Sequence, residues 1–270
     1  MIRGLRRQLS SIINPWIMAS DGEELARRYN FSRRFRPHQK VALDFEDDVF
    51  VLDDGKQKLA VARKERLGLN LYGMENRQER LLAEYGVDND MIRPGDVVVD
   101  CGANIGEFSI ICARLGAEVL AFEPDRREYA ALSWNAKGKS ITALPLALWH
   151  ETAELDFYDS NDMGDSSLFD PGDATQSYKV QACPLDLVED LPDGPIRLIK
   201  LEAEGAEPEI LDGMAGVLER VDYVTADMGP ERGLSKANTV VEVNDRLIRH
   251  GFRLSKFNEV RCTGLFEAIR

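Results

Sequence analysis

From Pro94 onward the chain alternates short unbroken apolar runs with longer stretches in which apolar residues recur every three or four positions. An unbroken run is what a strand covered on both faces needs, and the longer period is that of a helix with one face on a core. The alternation therefore predicts an α/β fold with a parallel sheet and helical crossovers. The predicted strands are Val97 to Cys101, Val119 to Glu123, Ile141 to Leu148, Ile196 to Leu201 and Tyr223 to Ala226. The predicted helices are Ile105 to Leu115, Arg126 to Lys137, about Pro208 to Met214 and about Lys236 to His250. Gly116 and Gly251 mark helix ends, and Pro208 suits a first helical turn, where a missing N–H is no loss.

Three stretches depart from the alternation. Glu151 to Cys183 carries Asn161, Gly164, Asp165, Pro171 and Gly172 between strand-like pieces at Leu155 to Tyr158 and Lys179 to Cys183, which reads as an inserted hairpin with a mobile loop. Arg253 to Phe257 and Leu265 to Ile269 read as a terminal hairpin that adds an antiparallel strand. Near the start, Asp48 to Leu52 and Lys58 to Ala62 flank Asp53-Asp54-Gly55 as a β-hairpin, and Glu65 to Tyr85 reads as helical. The expected organisation is an accessory region over residues 1–85 and a main domain over 86–270.

Charge narrows the choice of partners. The net charge of -13 argues against a general phosphate-backbone binder, because that affinity comes from Lys and Arg displacing counterions. Residues 1–40 nevertheless hold nine Lys or Arg against Asp21, Glu23 and Glu24, a net +6, which leaves -19 for the rest. Such a leader is suited to an anionic membrane surface, to the acidic body of its own or a neighbouring chain, or to plain solvation. Its longest apolar stretch, Ile12 to Ala19, is broken by Asn14 and Pro15 and falls far short of a membrane span. It also lacks a secretory pattern, so the expected location is cytoplasmic. Cys101, Cys112, Cys183 and Cys262 are scattered, without metal-ligand spacing.

The segment Asp100-Cys101-Gly102-Ala103-Asn104-Ile105-Gly106 follows a Val-rich strand and opens a helix. Glycines there allow a tight turn and close backbone approach, and the helix start offers unpaired N–H groups. Glu123 ends the next strand, where a carboxylate accepts hydrogen bonds from the two hydroxyls of an adenosine ribose. The turn reads G-x-N-x-G rather than the G-x-G-x-x-G of a nicotinamide site, and an acid at its start repels a pyrophosphate while favouring a ligand with an amino group and a sulfonium. S-adenosylmethionine carries both.

These residues resemble the FkbM family of S-adenosylmethionine-dependent methyltransferases. The resemblance rests on Asp100 to Gly106, Ala121 to Pro124 with Asn135, Gly164 to Phe169, Pro184-Leu185-Asp186 and Ile199 to Leu211. It implies a Rossmann-like methyltransferase fold with a seven-stranded, mostly parallel sheet, six strands parallel and one antiparallel. It further implies methylation of hydroxyl oxygens on sugars, polyketides and related metabolites. By position, Asp100, Gly102, Asn104 and Gly106 would hold the methionine part of the cofactor and Glu123 its ribose. Where the family has Asp-Val-Glu-Gly, this chain has Glu202-Ala203-Glu204-Gly205, so the first acid reaches one methylene further.

Methyl transfer from a sulfonium is an in-line displacement, helped chiefly by alignment, and an alcohol acceptor must also lose a proton. Glu202 and Glu204, at the carboxyl end of the fourth parallel strand, are the leading catalytic candidates, with pairing to Lys200 or capping of the next helix as the structural alternative. Lys200, inside an apolar strand, needs a charged partner. His150 and Asp227 are lesser candidates for a base and an acceptor contact, Trp149, Tyr158 and Phe169 could wall the acceptor, and paired carboxylates could instead hold Mg²⁺. No metal site is expected. The competing functions are an S-adenosylmethionine-binding regulatory or scaffold protein without turnover and a nicotinamide-dependent oxidoreductase.

Overall fold

The computed structural model describes residues 14–36, 40–70, 74–159, 166–172 and 174–269, for Asn76 the backbone alone. Arg3, Arg6 and Arg7 of the basic leader, and Asn161, Gly164 and Asp165 of the insertion, lie outside the described residues. The chain divides into two compact units, Met1–Arg77 and Gln78–Arg270.

In the first unit, helix α1 (Gly22–Ser32) starts at Asp21, whose carboxylate accepts the Gly22 N–H. Leu25, Ala26 and Tyr29 form its buried face. Strands β1 (Ala42–Glu46), β2 (Val49–Asp53) and β3 (Lys58–Val61) make an antiparallel sheet in that order. The β2–β3 hairpin is the one expected around Asp53-Asp54-Gly55; β1 was not expected. The Asn30 amide extends the β1 ladder, accepting the Leu43 N–H at 3.1 Å and donating to the Leu43 carbonyl at 2.6 Å. The long helix expected over Glu65 to Tyr85 is instead a 3₁₀ segment, Lys64–Leu69, and helix α2 (Met74–Glu84). Gly68 and Asn70 are poor helix formers and interrupt it.

The second unit is built on β4 (Val97–Cys101), β5 (Glu118–Phe122), β6 (Ile141–Leu144), β10 (Ile196–Leu201), β11 (Val221–Asp227), β12 (Phe252–Asn258) and β13 (Thr263–Ala268). They form one seven-stranded sheet in the order β12-β13-β11-β10-β4-β5-β6. β4, β5, β6, β10 and β11 run parallel. β13 is antiparallel to both of its neighbours, which leaves β12 in the common direction. Val98, Val99, Leu120, Phe122, Leu198, Ile199 and Leu201 are all buried, which is why these strands read as continuous apolar runs. Helices α3 (Glu107–Arg114), α4 (Arg126–Ala136), α5 (Glu207–Asp212), α6 (Ala215–Leu218) and α7 (Val240–Arg249) connect them.

Two expectations need correction here. The third strand does not continue through Leu148, because Pro145 has no N–H to donate. After it, β7 (Ala147–Leu148) joins a separate three-stranded sheet with the insertion hairpin β8 (Ala153–Asp159) and β9 (Gln176–Cys183), in the order β7-β9-β8. The last helix starts at Val240 rather than near Lys236, which sits in the left-handed region at φ 48° and ends a turn.

Candidate active site

The order of β4 between β10 and β5 puts a topological switch point at the carboxyl ends of these strands, where an open α/β sheet leaves a crevice. The turn after β4 lines it. Gly102, Asn104 and Gly106 all have positive φ, at 69°, 51° and 84°. The Gly102 and Ala103 N–H groups both donate to the Phe122 carbonyl, at 3.0 and 2.9 Å, which ties the turn to the end of β5. A Cβ on Gly102 would lie 1.7 Å from the Glu202 carbonyl oxygen, so no other residue fits. One on Gly106 would meet the Leu132 side chain at 2.6 Å. The buried Asn135 amide donates to the Ile105 carbonyl at 2.7 Å and fixes the far end of the turn.

Glu123 closes this side. Its two oxygens accept the Asn104 N–H at 2.7 Å and the Asp125 N–H at 2.8 Å, so one carboxylate joins the β4 turn to the β5 exit. Burial raises its pKa to about 8, with the Asp125 and Glu128 charges adding and the two N–H groups opposing. The Asn104 Oδ1 is buried and accepts no hydrogen bond from the described residues. Both side chains thus present acceptor oxygens, which suit a ligand rich in donors and positive charge and do not suit a pyrophosphate.

Asp100 and Lys200 form the floor. They are direct neighbours in the register of β4 and β10, and both are buried. The Lys200 Nζ lies 3.0 Å from Asp100 Oδ1, 3.0 Å from Glu202 Oε2 and 2.8 Å from the Gly102 carbonyl. Asp100 Oδ2 accepts the Ser109 hydroxyl at 2.6 Å. Burial alone would lower the lysine pKa, but the Asp100 and Glu202 charges outweigh it and hold it above the ordinary value. The partner required for Lys200 is therefore double, and Asp100 is turned into the protein.

Glu202 leaves β10 into this ion pair. Burial pushes its pKa up, but Lys200, the Tyr85 hydroxyl and Arg261 together hold it below the ordinary glutamate value. Glu204 is partly exposed in a left-handed conformation at φ 50°, and its carbonyl accepts the Ser167 hydroxyl at 3.1 Å. Ser166 donates to Asp125 Oδ2 at 2.9 Å. Residues 166–167 thus strap the β5 exit to the β10 exit, so this described part of the expected mobile loop is held at both ends.

Several charged residues around Glu202 were not foreseen. Glu207, fully buried, accepts the Ala203 and Gly205 N–H groups at 2.9 and 3.2 Å and the Thr239 hydroxyl at 3.1 Å. Burial raises its pKa to about 7. Arg261 places a guanidinium 3.1 Å from Asp227 and 3.7 Å from Glu202. Glu231, just past β11, has its pKa raised to about 8 by burial, with the charges of Asp227, Glu207 and Glu202 adding and Arg261 opposing. The signal for Glu207 was its place after Gly205, inside the Ile199 to Leu211 block that carries the family resemblance; Arg261 and Glu231 carry none.

The remaining candidates separate. Asp227 is buried beside Glu202 and Arg261, with burial and Glu202 raising its pKa. His150 is exposed, its Nε2 3.7 Å from Glu151. Trp149 and Phe169 pack 6.2 Å apart, and Arg232 lies over the Phe169 ring at 4.1 Å while pairing with Glu209. Tyr158 bridges Ser167 through the backbone. Asp186 caps α6, accepting the Gly216 and Val217 N–H groups.

A seven-stranded sheet with a lone reversed strand, a glycine turn after its first strand and an acid after the next defines a Rossmann-like methyltransferase fold. Residues 100–259 match the methyltransferase FkbM domain, and the chain belongs to that family. The family uses S-adenosylmethionine. The hexuronic acid methyltransferase AglP of Haloferax volcanii is 28% identical over 135 residues, which are 49% of this chain and 56% of that relative. The match thus spans about half the length of the curated relative. A SAM-dependent methyltransferase from Aquifex aeolicus is 16% identical with a TM-score of 0.44, over 76% of this chain and 93% of that one. Magnesium protoporphyrin IX methyltransferase from Synechocystis PCC 6803 is 14% identical with a TM-score of 0.42, over 73% and 79%. No described helix is long and apolar enough to cross a membrane.

Proposed function

We propose that the chain moves a methyl group from S-adenosylmethionine to a hydroxyl oxygen of a small molecule or glycan. The observation that carries the reading is the pair of acceptors on the turn: the Asn104 Oδ1, without a hydrogen-bond partner among the described residues, and the Glu123 carboxylate, which has lone pairs beyond its two backbone bonds. An amino group meets the first and a ribose diol the second. Gly102 and Gly106 shape the turn without touching the reaction, and Asp100 acts one step back, holding Lys200 beneath the turn rather than reaching the ligand. When bound, S-adenosylmethionine supplies an electrophilic methyl carbon on a neutral-leaving sulfur.

The chain's own residues then position the acceptor and take its proton. Glu202, kept ionised by Lys200, is a weak base, and its role in this reading is to accept a hydrogen bond from the acceptor beside the fixed ion pair. Glu204 contacts the acceptor from the strap side. Glu231 is the carboxylate whose basicity matches proton removal near neutral pH, because its ionised form is already costly. The relative named for a hexuronic acid supports a glycan acceptor.

Turnover is tested by S-adenosylhomocysteine release against a panel of hydroxylated sugars, uronic acids and phenols, alongside calorimetry with S-adenosylhomocysteine and NAD. Methylated product on a hydroxylated acceptor is expected, stable to mild alkali as an ether is. An alkali-labile product would be an ester and would remove the hydroxyl assignment. Cofactor binding without any turnover would favour a regulatory role, and binding of NAD alone would end the methyltransferase reading.

A further inference from the structure

In the first unit, Trp16, Phe31 and Phe35 expose 44%, 49% and 61% of their surface, and Met18 exposes 38%. The three rings form one patch, since the Trp16 and Phe31 rings lie 6.4 Å apart and the Phe31 and Phe35 rings 5.7 Å apart, both edge-on. Water opposes leaving three aromatic rings side by side in contact with it, and contiguous exposed apolar surface marks a binding face. The patch is built rather than incidental. Arg28 donates to the Trp16 carbonyl at 2.7 Å and covers its ring at 5.0 Å, and Arg34 lies over Phe31 at 5.5 Å. Glu24, the acid on the same helix face, is neutralised by Arg27 and Arg28.

We propose that this face docks on the surface of an anionic lipid bilayer. An apolar aromatic centre with guanidinium groups at its rim matches the boundary of such a membrane, where rings enter the acyl margin and cations meet lipid phosphates. Charge selects that occupant. Residues 1–40 are net +6 although the whole chain is -13, so an anionic surface attracts this head. Indole and phenyl groups with flanking arginines are the side chains that membrane interfaces favour. The inference is independent of the methyl-transfer reading.

The test is flotation of the full chain with mixed vesicles of phosphatidylcholine and phosphatidylglycerol, and with phosphatidylcholine alone. Binding to the anionic vesicles is expected, weakened by high salt and at least tenfold lower for the W16A/F35A variant and for R34E. Circular dichroism and an unchanged thermal midpoint report whether each variant is folded. No binding to anionic vesicles, or equal binding by folded W16A/F35A, overturns the proposal. So does a concentration-dependent dimer that the same substitutions abolish, because the patch then covers a second copy.

Discussion

Replacing Lys200 with methionine keeps most of the side chain's volume and deletes its charge. In the native protein the ammonium is shared among Asp100 Oδ1 at 3.0 Å, Glu202 Oε2 at 3.0 Å and the Gly102 carbonyl at 2.8 Å. Without it, Asp100 keeps, among the described residues, the Ser109 hydroxyl in a site with no solvent exposure, whereas Glu202 still reaches Tyr85 and Arg261. The uncompensated Asp100 charge therefore dominates, and breaking a buried pair from one side costs about 3–5 kcal/mol. At about 2–4 °C per kcal/mol for a unit of this size, the K200M midpoint falls by roughly 6–20 °C. The K200M/D100N variant removes both charges and recovers a large part of that loss. Urea unfolding of the native protein, the single and the double variant, followed by tryptophan fluorescence, gives all three values. A deficit below about 1 kcal/mol, the range of an exposed pair, or a double variant no more stable than K200M, would refute the ion-pair floor.

Gly102→Ala places a Cβ 1.7 Å from the Glu202 carbonyl at a φ of 69°, and is expected to cost more than about 4 kcal/mol and to abolish S-adenosylhomocysteine binding; a stable, binding variant counts against the turn geometry. Glu123→Ala is expected to weaken that binding at least tenfold, about 1.4 kcal/mol, by calorimetry, and an unchanged affinity removes Glu123 from the site. Because the Glu123 pKa in the free protein is raised to about 8 and ribose hydroxyls donate to its ionised form, affinity should climb as pH rises toward 8 and level off above it. A flat pH profile contradicts this coupling. Glu231→Gln is expected to lower kcat at least tenfold and to remove the rising limb of the pH–rate profile near 8; an unaltered limb assigns the base elsewhere.

The amino-acid sequence by itself determined the alternation of strands and helices, the turn at Gly102 to Gly106 and the acid at Glu123. Each depends on residues within one strand or one turn of each other: apolar runs for strands covered on both faces, glycines where φ turns positive, a carboxylate at a strand end. Only the tertiary structure decided that Asp100 faces Lys200 rather than the crevice, because that follows from the register of β4 against β10, strands a hundred residues apart in the chain. The same holds for Arg261 beside Asp227 and Glu202, for Ser166 and Ser167 strapping Asp125 to Glu204, and for Glu231 acquiring a raised pKa. Charge and hydrogen-bond pairing are set by which strand ends meet when the sheet closes, and no local pattern of residues records that meeting.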